Sequence, residues 1–127
     1  MQTTPKCRVL LVNNDTLIRE VVEEILKTLG YKVTCAKDGT EALNLFQDGE
    51  GIKIVVTNII MPGMDGWQLA HQIKSIKPAI PIVAITGASP DVVVPKINSK
   101  SIEYALFNPL KINQLKETLR KVENTVH

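Results

Sequence analysis

Five short apolar runs, each followed by a longer stretch of helical periodicity, constrain what this chain can fold into more than any other feature. The runs are Arg8 to Val12, Lys32 to Ala36, Ile52 to Asn58, Ile82 to Thr86 and Tyr104 to Phe107. Alternating strands and helices are typical of a parallel sheet, because each crossover helix packs back onto the sheet. The central runs are apolar throughout, which indicates strands covered on both faces. The pattern predicts an α/β fold with a doubly wound, five-stranded parallel sheet.

The segments between the runs carry helix signals. The first helix is expected at about Leu17 to Leu29, with Asp15 or Thr16 as its cap and Gly30 as its stop. Residues three or four apart are expected to face the core: Leu17, Val21, Ile25 and Leu29 in the first helix, Ala42, Leu43 and Phe46 in the second, Leu69, Ile73 and Ile76 in the third, and Ile112, Leu115, Leu119 and Val122 in the last.

The fourth helical segment has conflicting signals. Ser89 followed by Pro90 is a good start, because Ser caps a helix and Pro fits its first turn. Pro95 follows only five residues later and removes a backbone donor from the helix. We therefore expect this helix to be short or distorted.

Length and composition limit the function classes. The 127 residues suit one domain, 1–127, with its core at about residues 8–122, and the formal net charge of +2 is too small to indicate a nucleic-acid surface. No apolar stretch is long enough to span a membrane, so a cytoplasmic protein is expected. Cys7 and Cys35 fall near opposite ends of their strands, too far apart for a disulfide.

Polar residues follow four of the five predicted strands. They are Asn13 and Asn14 after the first, Asn58 after the third, Thr86 at the end of the fourth, and Asn108 with Pro109 after the fifth. Ligands of doubly wound sheets bind at the carboxyl ends of the strands, so these residues are expected to face one shared crevice.

Four segments carry a resemblance to a known family. LLVNNDTLIREVVEEIL, VVTNIIMPGMDGWQLA, IPIVAITG and FNPL resemble, in order and spacing, the signature segments of response-regulator receiver (CheY-like) domains. The resemblance extends over about Arg8 to Val122. It implies a flavodoxin-like sheet of strand order 2-1-3-4-5 and a role in two-component or phosphorelay signalling.

The same resemblance assigns a role to each crevice position. In the family, the first strand ends in an acidic pair that holds Mg²⁺, the third in the phosphate-accepting Asp, the fourth in Ser or Thr, and the fifth carries Lys before Pro. In this chain Asn13 and Asn14 occupy the positions of the acidic pair, Asn58 that of the phosphate-accepting Asp, and Asn108 that of the Lys. Thr86 and Pro109 match the family residues. The family's switch aromatic falls on Ala105, and Tyr104 is expected to point to the opposite face.

These replacements bear directly on chemistry. A carboxamide is a neutral metal ligand and a poor nucleophile toward phosphorus, whereas Mg²⁺ prefers carboxylates and phosphoryl transfer needs charge stabilisation. We expect no cofactor, no Mg²⁺ and no phosphorylation at Asn58. The remaining function is protein binding, through the first helix or through the face of helix four, strand five and helix five, with homodimerisation left open.

Two alternatives remain at this point. A receiver could still accept a phosphoryl group with Mg²⁺, either on an unusual acceptor such as Asp15 or on Asn58 after its deamidation to Asp. Asp15 is more simply interpreted as a helix cap, and Asp65 as a turn residue. Flavin or nucleotide binding would rest on the architecture alone, since the chain has no phosphate-binding glycine loop. Whether the asparagines are natural or engineered is also open.

Overall fold

The strands form the predicted sheet. A computed structural model describes residues 7–48, 51–97 and 101–125. Its strands are β1 (Arg8–Val12), β2 (Lys32–Ala36), β3 (Ile52–Thr57), β4 (Ile82–Thr86) and β5 (Tyr104–Phe107). All pairings are parallel, and the strand order is β2-β1-β3-β4-β5. Fold class and strand order are therefore confirmed, although β3 ends one residue earlier than expected, at Thr57.

Five α-helices connect or follow these strands in the described part of the chain: α1 (Thr16–Thr28), α2 (Gly39–Gln47), α3 (Gly66–Ile76), α4 (Pro90–Val93) and α5 (Ile112–Thr125). Ser89 caps α4 and Pro90 lies in its first turn. A 3₁₀ turn at Val94–Lys96 takes the place of further α-helix, as the position of Pro95 predicts. In none of the described helices do length and apolar content reach what a membrane span requires.

Two apolar cores lie on opposite faces of the sheet. Alternate residues of β1 divide between them: Leu10 and Val12 pack with residues of α2, α3 and α4, whereas Val9 and Leu11 pack with residues of α1 and α5. Tyr104 packs against the second core and Ala105 against the first, so the predicted opposite orientation of these neighbours is confirmed. This two-sided burial explains why the central strands are uniformly apolar.

The expected inner face of α1 was wrong for its first two residues and right for its last two. Leu17 and Val21 are 71% and 52% exposed, whereas Val22 and Leu26 are buried. Ile25 and Leu29 are partly buried against the core. The helix carries apolar residues over a wider arc than the sheet covers, so spacing alone did not identify the side that packs.

Two further inward assignments were wrong for a common reason. Ile76 is 47% exposed and Ile112 is 54% exposed. Each is a terminal residue of its helix, the last of α3 and the first of α5. The other expected core residues of these helices, Leu69 and Ile73 in α3 and Leu115, Leu119 and Val122 in α5, are buried.

Candidate functional site

Backbone hydrogen bonds fix the polar residues at the carboxyl ends of the strands. The Asn58 amide donates to the Val12 carbonyl at 2.9 Å, and the Asn108 amide donates to the Thr86 carbonyl at 2.9 Å. The Asn13 amide donates to the Ala36 carbonyl at 3.1 Å. The backbone therefore places each of these residues just past the end of its own strand, at the same end of the sheet.

Asn58 and Asn14 form a side-chain pair. The Asn58 Nδ2 group donates to Asn14 Oδ1 at 3.3 Å and to the Ile60 carbonyl at 3.0 Å. Asn58 is partly buried, and Asn14 is exposed. An amide nitrogen has two hydrogens to donate, so this arrangement uses both of them on oxygen acceptors.

Asn13 is turned toward the start of α1 and is only 5% exposed. Its Oδ1 accepts from the Asp15 backbone amide at 2.9 Å, and its backbone carbonyl accepts from Arg19 Nη1 at 2.7 Å. Sequence reasoning missed Arg19. The available signal was its position one helical turn after Asp15, because helical side chains lean toward the amino end and so reach back to the strand end.

The two nearby aspartates are helix caps. Asp15 Oδ1 accepts from the Ile18 amide at 3.0 Å at the start of α1. Asp65 accepts from the Gln68 amide at 2.8 Å, and the Gln68 side chain accepts from the Asp65 amide at 2.9 Å, which completes a capping box on α3. Both carboxylates therefore stabilise helix amino ends, as expected.

Thr86 is buried and faces its own loop. Its Oγ1 accepts from the Ala88 amide at 3.0 Å, two residues later. Asn108 and Pro109 are exposed on the neighbouring strand end, and the peptide bond between them is cis. The described contacts thus join Asn14 to Asn58 and Asn108 to Thr86, while Asn13 bonds to the first turn of α1.

A close backbone approach places α3 against this crevice. The Gly66 amide donates to the Ile59 carbonyl at 2.8 Å, and a Cβ added at Gly66 would lie 2.4 Å from the Asn58 carbonyl oxygen. Only glycine allows such contact without movement of the backbone. Gly66 therefore helps to set the position of Asn58 relative to α3.

The residues of the crevice do not suit Mg²⁺, the ion that the family resemblance implies. The positions aligned with its ligands offer neutral amide oxygens, and Asn13 Oδ1 and Asn14 Oδ1 already accept hydrogen bonds. Within residues 7–48, 51–97 and 101–125, no cluster of three or more His, Cys, Asp or Glu could hold a metal ion. A hard dication that needs octahedral oxygen ligands binds chiefly through carboxylates.

Comparison with known proteins places the chain in a family. The family model described as the response regulator receiver domain matches residues 9–120. The sensor histidine kinase RcsC of Salmonella typhi is 29% identical over 87% of this chain, which corresponds to 12% of that kinase. The probable transcriptional regulator ycf27 of Cyanophora paradoxa is 32% identical over 94% of this chain and 51% of the regulator. The chain thus spans between an eighth and about half of these relatives.

Solved structures agree with this placement. The response regulator TrrA of Thermotoga maritima, in complex with Mg²⁺ and BeF, has a TM-score of 0.83 and 29% identity, covering 92% of this chain and 99% of TrrA. A receiver domain protein of Clostridium thermocellum has a TM-score of 0.87 at 22% identity, covering 94% of this chain and 96% of that one, and supports the fold alone. The chain therefore belongs to the response regulator receiver domain family of two-component signalling.

Proposed function

We propose that this receiver is a protein interaction module that acts without phosphorylation and without Mg²⁺. The observation that carries the proposal is the hydrogen bonding of Asn58, whose Nδ2 group donates to Asn14 Oδ1 and to the Ile60 carbonyl. At the position where the family has its acceptor carboxylate, this chain has a neutral amide that is engaged as a donor.

The chemistry of phosphoryl transfer supports the proposal. The accepting atom must be a nucleophilic oxygen, and cations must neutralise the charge that develops on the phosphoryl group. The crevice positions Asn13, Asn14, Asn58 and Asn108 supply neither an oxyanion nor a cation. The carboxylate of Asp15 accepts a backbone hydrogen bond as the cap of α1, which makes it a poor substitute acceptor.

Of the two surfaces considered for partner binding, α1 has the stronger support. Leu17, Ile18 and Val21 are 71%, 38% and 52% exposed, and they line a cavity of about 390 Å³ together with Pro109 and Leu110. We call this surface the α1 groove. Exposed apolar side chains that lie together are typical of protein interaction sites. The groove beside β5 and α5 combines apolar residues of β5 with charged side chains, which are Lys111, Glu117 and Lys121.

A titration of the crevice tests the first half of the proposal. We expect no saturable change in the amide spectrum of the full chain when Mg²⁺ is added with beryllofluoride or acetyl phosphate, and no added phosphoryl mass. TrrA, solved with Mg²⁺ and BeF, is the positive control. Saturable binding in the crevice, or a phosphoryl adduct labile at high pH on Asp15 or at position 58, would show that the chain remains an active receiver.

Restoring the family residues provides a matched variant. Asn13→Asp, Asn14→Asp, Asn58→Asp and Asn108→Lys combined should bind Mg²⁺ more tightly than any of the single variants, because the residues of such a site act together. Isothermal titration with Mg²⁺ alone measures this. Equal affinity for the combined and single variants would mean that the amides are not what prevents binding.

Photo-crosslinking tests the second half. A photoreactive residue at Val21 in the α1 groove should give one defined protein adduct in the native cell, whereas the same residue at exposed Gln72 on α3 should not. The Val21 adduct should persist in an Asn58→Ala background and decrease with Leu17→Ser. Loss of the adduct in the Asn58→Ala background would tie docking to the crevice and contradict independence from it.

A further inference from the structure

A second cavity lies at the end of the sheet opposite the crevice. Its volume is about 390 Å³, and its walls come from segments at the amino ends of the strands. Lys53 and Ile54 lie at the start of β3, and Ile80 and Pro81 precede β4 directly. Because the strands are parallel, this amino-end cavity is separated from Asn58 by the length of the sheet. The family's phosphorylation site does not involve it.

The floor of the amino-end cavity is apolar and buried. Ile54 and Ile80 are 1% and 2% exposed, and Pro81 is also buried. Ile54 belongs to the core under α1 and α5, whereas Ile80 belongs to the core on the other face. The floor therefore lies where both cores reach the end of the sheet. The apolar surface above it that a ligand can contact comes from half-buried Cys7 and exposed Ala79.

The rim of the cavity carries unequal charge. Lys53 and Lys77 are exposed, and neither ammonium forms an ion pair with a carboxylate of the described residues. Glu123 is the acidic group on the lining, and its carboxylate accepts a hydrogen bond from the Tyr31 hydroxyl. Among the described lining residues, two ammonium groups and one hydrogen-bonded carboxylate give a local excess of one positive charge.

From this combination we propose that the amino-end cavity binds a small amphipathic anion, with an apolar body against Cys7 and Ala79 above this floor and a singly charged acidic head near Lys53 and Lys77. Ligand pockets commonly occupy about 300–1,000 Å³ and combine apolar walls with a few polar groups that fix orientation. A cavity near the lower limit of that range selects a small ligand. Glu123 disfavours a head with more than one negative charge by repulsion.

Three eight-carbon probes of different charge test the proposal on the full chain. Octanoate, octanol and octylamine are titrated below their aggregation limits and followed by amide ¹H–¹⁵N spectra. Octanoate should give saturable shifts at Ile54 and Ile80, whereas octylamine should bind about tenfold or more weakly. Octanol should fall between them, because it keeps the apolar contact and lacks the charge.

Variants of the lining residues separate the contribution of the ligand's charged head group to binding from that of its apolar body. Lys53→Gln with Lys77→Gln should weaken octanoate about tenfold and leave octanol unchanged, since only the charge contact is removed. Lys32→Gln with Lys116→Gln is the matched control, because both lysines are exposed and lie outside the cavity lining. Ala79→Phe, which places a ring at an exposed lining position, should weaken octanoate and octanol alike.

Each of three results would overturn the proposal. The first is octanoate affinity that is unchanged in the double lysine variant. The second is shifts concentrated in the α1 groove, which would indicate unspecific adsorption to exposed apolar side chains. The third is a dependence of the Ile54 and Ile80 amide shifts on protein concentration in the absence of any probe. Such a dependence would show that a second copy of the chain covers the cavity.

Discussion

At the residue scale, the crevice is organised by amide hydrogen bonding. Asn58 donates twice, to Asn14 Oδ1 and to the Ile60 carbonyl, and Asn13 accepts from the Asp15 amide. A carboxylate has no hydrogen to donate, so it is not a conservative replacement for the Asn58 amide. Asn14 Oδ1 and the Ile60 carbonyl both receive their hydrogen bonds from position 58, so both bonds require an amide at that position.

We expect Asn58→Asp alone to destabilise the protein. At neutral pH the new carboxylate would face two oxygen acceptors, at a cost of about 1–3 kcal/mol in the free energy of unfolding. The same contacts would raise the pKa of that carboxyl in the folded state, so the penalty should disappear below the unfolded carboxyl pKa of about 4. Urea melts at pH 7 and pH 3.5 measure both effects.

Asn44→Asp is the control for charge alone, because Asn44 is exposed on α2. This substitution adds the same negative charge without placing it against acceptors. A variant at position 58 that is clearly more stable than the parent without metal would contradict the hydrogen bonding described for the crevice.

Gly66→Ala should be strongly destabilising, because its Cβ would lie 2.4 Å from the Asn58 carbonyl oxygen and 2.8 Å from the Ile59 Cα. Displacing backbone to relieve such contacts costs about 1–3 kcal/mol or more. Gly87→Ala is the matched control, since the nearest atom to its added Cβ, Asn108 Nδ2, is 3.9 Å away. Thermal melts should separate the two variants; equal stability would refute the close approach of α3.

At the element scale, the sequence predicts where α1 begins and ends, but it does not predict which side of the helix packs against the sheet. Its capping by Asp15 and its end before Gly30, where φ is 101°, follow from local chemistry. Its inner face depends on which arc of a broadly apolar helix meets β1 and β2. The observed choice buries Val22 and Leu26 and leaves Leu17 in solvent.

The same substitution at two positions of α1 tests this orientation. Leu26→Ala should cost about 2–5 kcal/mol of unfolding free energy, because Leu26 is fully buried. Leu17→Ala should change it by no more than about 0.5 kcal/mol, as is usual for exposed positions. Denaturant melts of both variants measure the difference, and similar losses at the two positions would mean that α1 packs through the face that spacing predicted.

At the scale of the whole molecule, the face of the sheet that α1 and α5 cover encloses two groups that resist ionisation. Burial raises the pKa of the Cys35 thiol to about 11, with Glu23 contributing in the same direction. Burial also raises the pKa of the Tyr31 hydroxyl, which lies beside Glu123 of α5. Both groups are neutral in the folded protein at pH values where the unfolded chain has begun to lose their protons.

These shifts predict an alkaline loss of stability. A group whose pKa is raised by folding contributes its full stabilisation below the unfolded pKa, which is 9.0 for Cys35, and loses it as pH rises through the folded value. Unfolding free energy should therefore decline between about pH 9 and pH 11. Cys35→Ala should reduce the slope over this interval, measured by urea melts at several pH values, while Cys7→Ala serves as the thiol control. An unchanged slope in Cys35→Ala would contradict the assignment.

The amino-acid sequence by itself determined the strand limits to within one residue, the caps of α1 and α4 and the short α4, because these depend on local periodicity, capping and the missing donor of Pro95. The strand order was predicted from the family resemblance of the sequence together with this pattern. It also identified the four asparagines that lie at the carboxyl ends of the strands. Only the tertiary structure decided which arc of α1 is buried, that Arg19 reaches the Asn13 carbonyl, and that Asn58 donates to Asn14. Those features depend on how side chains from distant segments pack and pair, which spacing along one chain does not specify.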